Sequence, residues 1–288
     1  MKITVGIDAG EASNAAVAWL TAQPFAAEAE ITLVTSFDMI VSDPLDDEQV
    51  IEAIAQRIRG SLPDANVTTA LADGAIPNVL DRWTQGADLL VIGANHTQHA
   101  RSVLAGALPE RLAAATALPI AIVPDDWDGQ DGDVVVGVAD DDSSDDAVAF
   151  AADLAERDGR LLRLVHFWQR TDPPTDPVSL YLAVPHDLAE THNQRLQDVA
   201  DLVRARHPRL EVSAKSHEGY AAHAFLAPRR HASMIVVGSH RHGLIAGWIA
   251  GSVVQGVMKN YRSAACVVPP GTYTARTGAN PLPAATRS

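Results

Sequence analysis

Short runs of β-branched and aliphatic residues alternate along the chain with longer stretches whose apolar positions recur every three or four residues. In the second half the apolar runs predict strands over Val134 to Val138, Leu161 to Phe167, Leu210 to Lys215, Met234 to Val237 and Ala265 to Val268. They are short, uninterrupted and β-branched, as strands buried on both faces are. Between them, Asp187 to His207 carries Leu188, Leu196, Val199 and Val203 on one face of a predicted helix. Strand and helix in alternation predict parallel strands joined by right-handed crossovers, with helices on both faces of the sheet. Such sheets take ligands beyond the carboxyl ends of their strands, where the strand order reverses. Strands one and four flank that crevice.

The pattern occurs twice. "VGIDAGEASNAAVA" from Val5 answers "VGVADDDSSDDAVA" from Val136, an offset of 131, and Val34 answers Val165 at the same offset. Further along, "ADLLVIGANH" from Ala87 answers "ASMIVVGSHR" from Ala232 at an offset of 145, and Gly74, Gly106 and Pro124 answer Gly219, Gly251 and Pro269. The second copy therefore holds 14 extra residues after its second strand, around the Pro- and Asp-rich "QRTDPPTDPVSLYLAVPHD", which reads as a surface excursion. The repeat divides the chain into a first domain at 1–125, an acidic linker at 126–132, a second domain at 133–270 and a disordered tail at 271–288. The fifth strands, "IAIVP" and "ACVVP", are apolar edges that need cover, and they are expected to pair with each other. The proline closing each run stops the pairing from extending.

Composition narrows the function. A net charge of −14 argues against a main role in gripping nucleic acid or an anionic membrane. Cys266 is the only cysteine, so no intrachain disulfide framework or multi-thiolate metal site can form, and a reducing cytoplasm is the expected location. "MKITVGIDAG" has no apolar segment of signal-peptide length, and no run reaches the length of a membrane span.

The stretch "IVVGSHRHGLIAGWIAGSV", Ile235 to Val253, reads as strand, glycine-rich loop and helix start. Backbone N–H groups of such a loop can point at an anion, and Ser252 can cap the helix or bind the phosphate itself. The same composition also arises where a chain merely turns sharply.

Each copy resembles a universal stress protein domain. The resemblance rests on "VGID", "LVHF", "ADLLVIG" and "GSHRHGLIAGWIAGS", which follow that family's motifs in order, the last keeping the spacing of a loop of G-x-x-G, nine residues, then G-[ST], with Arg241 at the second glycine. It implies an α/β fold of two tandem doubly wound five-stranded parallel sheets, adenine nucleotide alpha hydrolase-like, each of order 3-2-1-4-5. It also implies that the two domains face each other as an internal pseudo-dimer, with a homodimer as a further assembly. The ligand implied is ATP, with magnesium.

Carried over residue by residue, the resemblance gives a candidate nucleotide set of Gly238, Ser239, Arg241, Gly243, Gly251, Ser252, Val253 and Asp140. Arg241 stands where the motif has its second glycine; its guanidinium can fork onto a phosphate, helped by His240 or His242. The aspartate that the family places after strand one corresponds to Ala139, and Asp140 comes one residue late. Adjacent residues of an extended chain point to opposite sides, so Asp140 can substitute only where the strand has ended or bulged. The first copy keeps Asp8, Gly93 and Gly106 but has His96 and Ala107 at the other motif positions, and it reads as structural.

No residue is assigned to catalysis and none to a metal. "DDDSSDD", Asp140 to Asp146, lacks the alternating ligands and central glycine of a calcium loop and reads as the acidic approach to a helix. His217, His223, His231, His240 and His242 show no spacing that pairs them on one helix face. Cys266 reads as a small core residue. Two functions follow: a stress-response regulator holding ATP in the second domain only, at most a slow ATPase, or a nucleotide-free interaction protein acting through its paired domains.

Overall fold

The computed structural model describes residues 1–8, 10–37, 44–74, 76–94, 118–129, 131–169, 188–219, 232–239 and 263–273. In the first half they form β1 (Lys2–Gly6), α1 (Glu11–Thr21), β2 (Glu30–Phe37), α2 (Pro44–Ser61), β3 (Asn66–Asp73), α3 (Ile76–Trp83), β4 (Leu89–Ala94) and β5 (Ile120–Pro124). In the second they form β6 (Asp133–Val138), α4 (Asp145–Asp158), β7 (Leu162–Trp168), α5 (Leu188–Arg206), β8 (Val212–Glu218), β9 (Ala232–Gly238) and β10 (Ala264–Val268).

The strands join into one ten-stranded sheet of order β3-β2-β1-β4-β5-β10-β9-β6-β7-β8. Each half thus has its own strands in the order 3-2-1-4-5, all parallel, and the two five-stranded sheets are continuous rather than separate. The junction is the expected one. β5 and β10 pair antiparallel, with Ala265 opposite Ile122, Cys266 opposite Ala121 and Val267 opposite Ile120. Every residue of both strands is buried, so the two apolar edges cover each other.

One apolar core underlies both halves on one face, running from Ile3, Val17, Trp19 and Leu33 through Ala121 and Cys266 to Val136, Phe150, Leu164 and Val203. A second cluster, including Val79, Leu90, Ile122, Ile235 and Val267, lies on the other face. The repeat has a backbone reason at Gly74 and Gly219, which end β3 and β8 with φ of 114° and 131°, a region open to glycine and strained for other residues.

Helix α5 buries Leu196, Ala200 and Val203, with Val199 partly buried beside them, but Leu188, expected on the same face, is exposed at the start of the helix, before its packing on the sheet begins. The linker is fastened: Arg160 pairs with Asp131 at 2.9 Å and donates to the Gly132 carbonyl at 3.1 Å. The tail expected from Gly271 begins with three ordered residues. The Gly271 N–H donates to the Asp146 carboxylate, and Tyr273 is buried, donates to Asp153 at 2.7 Å and meets Phe150 edge-on at 5.3 Å. An aromatic ring over an apolar helix face holds these residues where composition alone suggested none. Residues 274–288 lie outside the described residues.

Candidate functional site

The carboxyl ends of β6 and β9, strands one and four of the second half, carry Asp140, Gly238 and Ser239 of the candidate set. Arg241, Gly243, Gly251, Ser252 and Val253 lie outside the described residues.

Strand β6 ends at Val138, so the chain has left the sheet before it reaches Asp140. That meets the condition under which Asp140 could stand in for the displaced aspartate. The alignment is tight at the position before it. The Ala139 N–H donates to Ser144 Oγ at 3.0 Å, just as the Asp8 N–H donates to Ser13 Oγ at 2.8 Å in the first half. In the first half, however, Ser13 Oγ also donates to Asp8 Oδ1 at 2.6 Å, and that same oxygen accepts the Gly10 N–H at 2.9 Å. Asp8 therefore orders the turn that leads into α1. Ala139 brings no carboxylate, and in the second half the acid one residue later turns away from this hydrogen-bonding position toward strand β7 and helix α5.

Gly238 has a packing reason of its own. A Cβ there would sit 2.4 Å from the Ser143 carbonyl oxygen, and a Cβ on Gly93 would sit 2.1 Å from that of Ala12. Both glycines let the end of strand four pass against the backbone that opens the helix after strand one. Because Gly93 does this in the half whose loop departs most from the motif, glycine at this place is explained without a phosphate. Ser239 is likewise engaged: its N–H donates to the Val268 carbonyl at 3.1 Å, prolonging the pairing of β9 with β10. Its hydroxyl, not its amide, is what a ligand could meet.

The acidic run acts as the approach to a helix. Asp141 accepts the Ser143 N–H at 3.1 Å, and Asp145 and Asp146 occupy the first turn of α4. Burial, then the neighbouring Asp142 and Asp146 charges, push the Asp145 carboxyl up to about 6.

Around Asp140 the fold assembles a cluster that the sequence does not announce. His166, near the end of β7, places Nε2 at 3.4 Å from Asp140 Oδ1; His192, in the first turns of α5, places Nδ1 at 3.3 Å from the same oxygen. The two facing imidazole nitrogens are 2.9 Å apart. Arg195, one turn further along α5, reaches Asp140 Oδ1 at 3.7 Å, and Trp168 stacks on the His192 ring at 5.1 Å. His166 is buried while Asp140 is half exposed, so the cluster opens to solvent on the acid's side. The histidines singled out from the sequence were others. Of those, His217 stacks on Phe167 at 5.6 Å, and burial, then the Lys215 charge, lower its pKa; His223, His231, His240 and His242 lie outside the described residues. The available signal for His166 and His192 was positional: one at the carboxyl end of a strand, one at the start of the next helix.

Among the described residues no helix is long and apolar enough to cross a membrane. Residues 132–269 match the universal stress protein family model. The chain is 26% identical over 290 residues to a universal stress protein of Mycolicibacterium smegmatis, covering 93% of this chain and 97% of that relative. It is 27% identical over 176 residues to one of Mycobacterium tuberculosis, covering 60% of this chain and 58% of the relative. Among solved structures, a universal stress protein from Archaeoglobus fulgidus superposes with a TM-score of 0.67 at 18% identity, over 93% of this chain and 96% of that one. A second, from Pseudomonas aeruginosa, gives 0.60 at 16% identity over 96% and 95%. The second half, residues 132–269, thus carries a universal stress protein domain by the family model, and the whole chain is similar in sequence and in fold to universal stress proteins.

Proposed function

We propose that the protein is a stress-response regulator that binds an adenine nucleotide, ATP with magnesium, in its second half only. The observation that carries this reading is the contrast between the two strand-one ends. In the first half Asp8 Oδ1 already accepts from the Gly10 N–H and the Ser13 hydroxyl. In the second half Asp140 stands beyond the strand, half exposed, at the carboxyl end of the sheet and on the β7 side of the crevice where open parallel sheets receive ligands. Gly238 and the Gly251-Ser252 pair keep the two ends of the family's phosphate loop at its spacing. Arg241 supplies a cation for the phosphates in place of the missing glycine.

The adenosine side is weaker. Ala139 offers no acceptor to ribose or base, and losing such a hydrogen bond costs about 1–3 kcal/mol, a tenfold or greater loss of affinity. Calorimetry with ATP and magnesium is expected to find one weak site per chain, lost in Gly251→Val and strengthened in Ala139→Asp. Two equivalent sites, or a site indifferent to Gly251→Val, would place the ligand elsewhere. No binding even in Ala139→Asp would favour the second reading, a nucleotide-free interaction protein whose paired halves carry the function, which the continuous ten-stranded sheet supports.

A further inference from the structure

We infer that Asp140, His166 and His192 form a binding site for a zinc-like divalent transition metal. Among the described residues these three bring their ligand atoms within 4.8 Å of one another. The separations are more telling than the clustering: 2.9, 3.3 and 3.4 Å. Ligands held at about 2.0–2.1 Å from one tetrahedral zinc ion are about 3.3 Å apart, so the triangle is already close to one face of that tetrahedron.

The protonation pattern supports the assignment. His166 Nδ1 lies 2.9 Å from the Val138 carbonyl oxygen, which can only accept, so Nδ1 carries the proton and Nε2 presents its lone pair. This is the outer hydrogen bond by which a metal-ligating imidazole has its tautomer and orientation set. His166 Nε2 then faces His192 Nδ1. The ring centres are 5.0 Å apart while these nitrogens are 2.9 Å apart, so the nitrogens lie near the line joining the centres and the rings meet edge to edge. Without metal, the His192 Nδ1–H donates to His166 Nε2. A metal ion takes the place of that proton, and His192 then carries its N–H at Nε2. Trp168, stacked on His192 with 8° between the planes, limits how far the ring can tilt.

The donor set decides the class of metal. Two imidazoles and one carboxylate suit zinc, cobalt or nickel, whereas magnesium and calcium prefer oxygen alone. Three protein ligands with the acid on the solvent side leave a fourth position for water or an anionic ligand. Arg195 opposes the ion. Its guanidinium, 3.7 Å from Asp140 Oδ1, already partly neutralises the carboxylate and would have to move aside on its exposed stem.

The site shares Asp140 with the nucleotide reading, but the test uses metal alone, so the two readings can fail separately. Zinc chloride is titrated calorimetrically into the full-length chain with no nucleotide present, and cobalt is followed by its visible absorption, which is intense only in tetrahedral sites. One equivalent is expected to bind, with cobalt spectra of tetrahedral type. Asp140→Asn and His192→Ala, both on the solvent side of the cluster, should weaken it tenfold or more, while Arg195→Ala should strengthen it. Magnesium should not compete. His166→Gln tests the buried ligand, with circular dichroism to establish that it is folded. Zinc affinity and stoichiometry unchanged in Asp140→Asn and His192→Ala, or no zinc bound by the parent protein, would overturn the site and leave a hydrogen-bonded His–His–Asp group.

Discussion

The indole Nε1–H of Trp19 donates to the backbone carbonyl of Ser233 at 3.2 Å, a fully buried hydrogen bond that ties helix α1 of the first half to strand β9 of the second. Trp19 also meets Phe25 edge-on at 6.0 Å, and the core around it runs without interruption into the second half. The halves should therefore unfold together. Urea titrations followed by tryptophan fluorescence and by circular dichroism are expected to coincide in one transition. Trp19→Phe removes the donor and part of the ring while leaving a buried carbonyl without its partner, which should lower stability by about 2–4 kcal/mol.

Glycine at the two strand-four ends is required by backbone proximity. Gly238→Ala would set a methyl group 2.4 Å from the Ser143 carbonyl oxygen, and Gly93→Ala one 2.1 Å from that of Ala12. Backbone cannot yield as a flexible side chain does, so each variant should lose roughly 3 kcal/mol or fail to fold. Gly60→Ala provides the contrast. It lies in helix α2 with nothing within 4 Å of the added Cβ, and should gain about 0.5–1 kcal/mol, read as a higher denaturation midpoint.

Asp158 makes stability depend on pH. Burial pushes its carboxyl up to about 6 against the pull of Arg160 and Arg157, and it sits at the carboxyl end of α4, where the helix dipole disfavours negative charge. A carboxyl raised in the folded state contributes stability that is complete below its unfolded value of 3.8 and is lost as pH rises through about 6. Asp158→Asn removes that dependence. The variant should match the parent near pH 3.5 and exceed it above pH 6.5 by roughly 1–2 kcal/mol, of the order that a shift of about two units is worth. Denaturation midpoints across this range decide it.

Cys266 reports on the junction between halves. It lies opposite Ala121 in the antiparallel β5–β10 pair, fully buried, and burial pushes its thiol far up. A thiolate-dependent reagent such as dithionitrobenzoate should leave the native protein unmodified and react with one thiol per chain on unfolding, at a rate set by opening of the sheet centre. Rapid modification of the native protein would show that the junction opens locally.

The sequence by itself determined what depends on local periodicity and local backbone demand: the strands, the buried face of α5 from Leu196 to Val203, the twofold repeat, and the glycines at Gly74 and Gly219 whose φ other residues tolerate poorly. It also pointed to β5 and β10 as partners, because an apolar edge must be covered whatever lies beyond it. Tertiary structure alone decided which side chains meet. His166 and His192 are separated by the long segment between β7 and α5, whose length carries no information about where the chain returns. Only the packing of α5 over the carboxyl end of β7 brings both rings to Asp140. In the same way Gly238 is indistinguishable in sequence from a phosphate-loop glycine until the Ser143 carbonyl is seen against it, because a motif records which residue is permitted and not which neighbour forbids the others.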